Sequence, residues 1–81
     1  MKKIKGTLLF TTKDCPKCPE AKQYMNDNNI EHNMITADES EANMNKAVTF
    51  GILQVPAIVE IYADLTHKLY NFAEYKDARA N

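Results

Sequence analysis

Thr7-Leu8-Leu9-Phe10-Thr11-Thr12-Lys13-Asp14-Cys15-Pro16-Lys17-Cys18 is the stretch whose reading decides the fold. Its first five residues, Thr7–Thr11, are an apolar run of β-formers without alternation, which reads as a central strand buried on both faces. From Cys15 to about Asn28 the apolar residues recur at helical spacing. Cys18, Ala21 and Met25 form a stripe with Tyr24 alongside, while Lys17, Glu20, Gln23 and Asp27 sit towards water. Two cysteines three positions apart therefore mark a strand-to-helix turn.

Further along, Glu31–Thr36 reads as a polar strand and so belongs at a sheet edge. Asp38-Glu39-Ser40-Glu41 offers a helix N-cap at Asp38 with Glu three residues on. Met44, Ala47 and Val48 then share one helical face, and Gly51 is a stop. Ala57–Tyr62 is a second apolar strand, and Ala63-Asp64-Leu65-Thr66 a turn. His67–Phe72 alternates and fits a half-exposed strand. Glu74–Ala80 has length for about two helical turns. The order is β-α-β-α-β-β-α. The two apolar strands should be central and the two polar ones outer, with helices on both faces, because neither central strand alternates.

The chain has 81 residues, 44% hydrophobic and 26% charged, with a formal net charge of −1. That fits one small domain over residues 1–81. No basic stripe points to nucleic acid. The basic start Met1–Lys5 is followed by an apolar run too short for a signal or a membrane span, so the cytoplasm is expected and no membrane. Two cysteines are too few for a disulfide scaffold and read as a site.

A helix N-terminus presents unpaired N–H groups and partial positive charge, which stabilise a thiolate and lower its pKa. Cys15 is expected there, with Pro16 in the first helical position. Lys13 and Lys17 add positive charge that Asp14 partly cancels. Cys18, one turn in, should be more buried and able to attack a mixed disulfide at Cys15. Competing readings are a pair of core cysteines, or a metal site with His32 and His67. Those histidines lie 35 positions apart, unlike a zinc-finger pair, and read more simply as strand residues. Pro19 removes an N–H in the first turn; it either stiffens the site or marks the helix start. Val55-Pro56 stands before the second apolar strand, where proline is tolerated.

With Cys15-Pro16-Lys17-Cys18 after the first strand and Val55-Pro56 before the third, the chain resembles a glutaredoxin-type member of the thioredoxin superfamily over nearly its whole length. It is most similar to short glutaredoxin-shaped thioredoxins that share the run seen here as Cys15–Lys22. The resemblance implies an α/β thioredoxin fold of glutaredoxin type, with a four-stranded mixed sheet in the order 2-1-3-4. It implies Cys15 as nucleophile, Cys18 as resolving thiol, and a cis bond at Pro56 that leaves the Val55 backbone open to a substrate chain. Lys13, Pro16, Lys17, Val55 and Pro56 become the expected substrate-binding residues. The implied activity is that of a thiol–disulfide oxidoreductase reducing protein disulfides. It needs no cofactor beyond the cysteine pair and takes electrons from a thioredoxin-reductase-like flavoprotein or from glutathione.

Three departures from the family patterns stand out. Leu9 occupies the position of a buried acid, and Asp14 that of a tryptophan. Asn71-Phe72-Ala73-Glu74 replaces a Gly-Gly turn with its acid, so glutathione is not expected to be the main donor, although Glu74 is placed to serve as the acid. The chain is expected to act as a monomer, yet its short last helix leaves room for a partner on one sheet face. The rivals are a glutathione-dependent glutaredoxin, a metal or iron–sulfur module using the cysteines across a dimer, and an inert interaction domain.

Overall fold

A computed structural model describes residues 3–80, so Met1 and Lys2 of the basic start lie outside the described residues. The elements run β1 (Ile4–Thr11), α1 (Cys18–Asp27), β2 (Asn33–Thr36), α2 (Glu41–Thr49), β3 (Ala57–Tyr62), β4 (His67–Asn71) and α3 (Phe72–Ala80). The four strands form one sheet in the order β2-β1-β3-β4. β1 pairs in parallel with β2 and antiparallel with β3, and β3 pairs antiparallel with β4. This is the expected α/β fold of thioredoxin type, with the apolar strands central and the polar ones at the edges.

The continuous apolar character of β1 and β3 follows from burial on both faces. Leu9 lies opposite Ile58 and Phe10 opposite Ala57. Leu9 and Ile58 join Ala21 and Met25 of α1 and Phe72 and Tyr75 of α3 in one core. Phe10, Ala57 and Val59 join Ala37 and Ala47 in a second core on the opposite face, beneath α2. Each large side chain so buried contributes about 1.5–3 kcal/mol relative to exposure. The stripe read for α1 is the buried one, with Cys18, Ala21 and Met25 inside.

Several element readings need correction, among them β1, which begins at Ile4 and not Thr7. Met44 and Val48 are exposed rather than packed. The inward face of α2 is Asn43, Ala47 and the following Phe50, because Asn43 turns its Nδ2 inward to donate to the Thr36 carbonyl. The cap of α2 is Ser40, not Asp38: Ser40 Oγ accepts from the Asn43 N–H at 3.1 Å. β2 begins at Asn33, two residues later than read, and Phe72 opens α3 instead of closing β4. Gly51 does end α2, with a positive φ of 74° suited to glycine. No helix among the described residues is long and apolar enough to cross a membrane.

Candidate active site

Cys15 and Cys18 are joined by a disulfide, with Cα atoms 5.4 Å apart. Cys18 is the first residue of α1 and only 3% exposed, whereas Cys15 is half-buried in the turn ahead of the helix. The helix therefore starts three residues later than expected, and Pro16 lies outside it. Pro19 is the cause. A proline interrupts a helix anywhere beyond the first turn, because it lacks the N–H that pairs with the carbonyl four residues back. In a helix begun at Cys15, Pro19 would lack one such bond at a cost of about 3 kcal/mol; α1 instead begins at Cys18, with Pro19 in its first turn marking the start, as one of its two readings has it. The disulfide nevertheless brings the Cys15 sulfur against the first turn of α1, where the helix end favours negative charge.

The turn is held from the neighbouring loop. The Ala37 N–H donates to the Thr11 carbonyl at 2.8 Å. Both Asp38 carboxylate oxygens accept from the Lys13 backbone N–H, at 3.0 and 3.3 Å. Two loops at the C-terminal ends of the parallel strands β1 and β2 are thus joined beside the cysteines.

The Val55–Pro56 bond is cis, as the resemblance implied. Pro56 is buried, and Ala57 lies opposite Phe10, so this loop reaches the same end of the sheet as the cysteine turn. An open groove runs beside it, lined by Lys17, Val55, Pro56, Asn71, Phe72 and Lys76 among others. Three of the five expected substrate-binding residues, Lys17, Val55 and Pro56, thus share one surface. Lys13 and Pro16 are exposed on the cysteine turn and do not line that groove. Asn71, Phe72 and Lys76 line it too, although none is among the expected binding residues: Asn71 and Phe72 read as strand and Lys76 as an ordinary helix residue. Asn71 and Glu74 are occupied in capping that helix through each other. Leu53, two residues before Val55, is 98% exposed.

The position of the missing acid is filled as the sequence shows, by a fully buried Leu9. The sheet does bury an acid elsewhere. Glu60 is 9% exposed on β3, opposite Thr7 and away from the cysteine end, and accepts a 3.0 Å hydrogen bond from the Tyr62 hydroxyl. Burial first, and then Glu60, raise the Tyr62 hydroxyl pKa above its ordinary value. His32 is half-buried with Nδ1 2.8 Å from the Ile30 carbonyl, and His67 stacks edge-on to Phe50. Among the described residues, no three His, Cys, Asp or Glu side chains come together as a metal-holding group.

The family model for glutaredoxin matches residues 7–61, which span the cysteine turn and the proline loop. No curated protein and no solved structure matches the chain. The family match and the bonded cysteine pair together support a thiol–disulfide redox function.

Proposed function

The chain belongs to the glutaredoxin family, and from that premise we propose that it reduces disulfides in protein substrates and is itself recharged by a thioredoxin-reductase-type flavoprotein. In the dithiol form the Cys15 thiolate attacks one sulfur of the substrate disulfide, and the other sulfur leaves as a thiol. Cys18 then attacks the Cys15 sulfur of the mixed disulfide and expels the second substrate thiol. The substrate gains two electrons and two protons, and the protein is left with the Cys15–Cys18 disulfide. The flavoprotein reduces that bond again, so no resident cofactor is required.

The observation that carries this division of labour is the difference in burial between the cysteines. Cys15 is partly open to solvent while Cys18 lies under the first turn of α1. A bulky substrate reaches the first and not the second. The preference for protein partners is supported by two features of the rim. Leu53, two residues before Val55, stands almost wholly in water, an apolar side chain that a docked protein would cover. Asn71 and Glu74, the groups placed to meet the amino-acid end of glutathione, already satisfy one another. On this reading the chain works as one domain, as a monomer, in the cytoplasm.

A second reading rests on Lys17 and Lys76. Both line the groove beside Val55, and two cations there suit the carboxylates of glutathione, although Glu20 on the same groove offsets one of them. Insulin reduction coupled to NADPH decides between them. The first reading expects a higher kcat/KM with thioredoxin reductase than with glutathione and glutathione reductase. The reverse order makes the chain a glutathione-dependent glutaredoxin, and activity with neither removes both.

A further inference from the structure

We propose that Asp38 is a positioning residue for the Cys15–Cys18 couple, acting through the backbone of Lys13; the proposal rests on the dithiol–disulfide reading above. The geometry is specific. Asp38 follows β2 and lies 25 residues from Lys13, yet both its carboxylate oxygens accept from the Lys13 N–H, at 3.0 and 3.3 Å. Its sequence setting suggests a different task, the capping of α2. That task is done by Ser40, which leaves the Asp38 carboxylate to reach across to the cysteine turn.

The turn needs such a support. It lies ahead of α1, so the helix ladder does not hold it. Its own backbone contributes a long bond, from the Cys15 N–H to the Thr12 carbonyl at 3.4 Å. A hydrogen bond to an ionised acceptor is stronger than one between neutral groups. Lys13 stands two residues before Cys15, so fixing its amide limits where the Cys15 sulfur can travel once the disulfide is open.

The chemical consequence lies in the exchange equilibrium. When the protein disulfide takes two electrons from two molecules of glutathione, one oxidised glutathione and one protein dithiol result. Reclosure depends on how often Cys15 meets Cys18. In the disulfide form the S–S bond already orders the turn, so the Lys13–Asp38 hydrogen bond forms at less cost in chain entropy and contributes more there than in the dithiol form. By linkage its loss weakens the disulfide, and the equilibrium moves towards the reduced protein.

The test is the equilibrium constant of the full-length protein in glutathione buffers, read by alkylation and mass, for wild type, Asp38→Ala, Asp38→Asn and Ser40→Ala. Asp38→Ala should shift it towards the dithiol by about twofold to fivefold, the upper figure being the scale of one whole hydrogen bond. Fivefold corresponds to about 20 mV at the two-electron rate of about 30 mV per tenfold. Asp38→Asn retains an acceptor oxygen without its charge and should fall between wild type and Asp38→Ala. Ser40→Ala uncaps α2 in the same segment without touching Lys13; it should lower the urea midpoint and leave the equilibrium in place. Far-UV circular dichroism checks that the exposed Asp38 site tolerates each change. The proposal is overturned if Asp38→Ala matches wild type or Ser40→Ala shifts the equilibrium as much. It is also overturned if Asp38→Asn behaves as Asp38→Ala, since charge rather than the hydrogen bond would then be acting. A wild-type protein that exchanges with neither glutathione nor dithiothreitol removes the redox reading itself, a result distinct from the other three.

Discussion

Asn71 and Glu74 close a reciprocal pair at the start of α3. The Glu74 N–H donates to Asn71 Oδ1 at 2.8 Å, and the Asn71 N–H donates to Glu74 Oε1 at 3.0 Å. This is a capping box with asparagine in the cap position. The helix it starts is nine residues long, too short to hold by propensity alone. Glu74→Ala should therefore cost about 0.5–2 kcal/mol of stability, measured by urea unfolding. Glu74→Gln, which preserves the acceptor, should cost less. Neither should change kcat/KM with thioredoxin reductase by more than the loss of folded protein explains; a large fall with Glu74→Gln would give the carboxylate a part in partner binding.

The unequal burial of the cysteines sets the outcome of substitution. In the reduced protein Cys15 should be alkylated first, with Cys18 protected beneath α1. Cys15→Ser should abolish insulin reduction. Cys18→Ser should retain the first attack and accumulate a mixed disulfide visible by mass spectrometry, because no resolving thiol remains. Faster modification of Cys18 than of Cys15 would reverse the assignment of roles.

Leu53 separates docking from folding. Its side chain is almost wholly in water, so Leu53→Ser should leave the urea midpoint within the range of ordinary surface changes, about 0.5 kcal/mol. If protein substrates lie on the rim beside Val55, the same change should raise KM for insulin while leaving kcat nearly constant. Unchanged KM would take Leu53 out of the docking surface.

Alkaline pH should weaken the fold through Tyr75. Burial raises its hydroxyl pKa above the ordinary value of 10.0, and Arg79 partly opposes the shift. The unfolded chain releases this proton near its ordinary pKa while the folded protein keeps it. The contribution to stability is thus complete below about pH 10 and falls as pH rises beyond it. Urea midpoints from pH 8 to 11 should decline above pH 10, and Tyr75→Phe should make the decline shallower, with the raised Tyr62 hydroxyl supplying part of what remains. An equally steep decline in Tyr75→Phe would assign the effect to other groups.

Much of this architecture is legible in the chain because β1 and β3 lack alternation, and only a strand covered on both faces has that pattern. The α1 stripe is legible because Cys18, Ala21 and Met25 keep strict helical spacing. The sequence misleads where a polar residue has two possible partners. Asp38 has the spacing of a cap for α2, but its carboxylate accepts from the Lys13 amide, 25 residues away, and Ser40 is the cap. Asn43 took an inward position that the apolar pattern assigns to Met44, because a carbonyl at Thr36 awaited its side chain. The helix start is marked by Pro19, whose missing N–H disfavours a beginning at Cys15, but the sequence leaves that reading beside a second one. The groove residues of α3 were not legible, since a cap formed by Asn71 and Glu74 looks like a continuing strand until the backbone turns.

Leu9 and Phe10 are consecutive residues, yet each anchors a different core. β1 is thus a single wall shared by two rooms, and neither can be emptied while the other stays furnished. Leu9→Ala should cost about 2–5 kcal/mol and should loosen the α2 side as much as the α1 and α3 side. Unfolding followed at Tyr75 on one face and at the Phe50–His67 contact on the other should show coincident transitions, so that the chain melts as one cooperative unit.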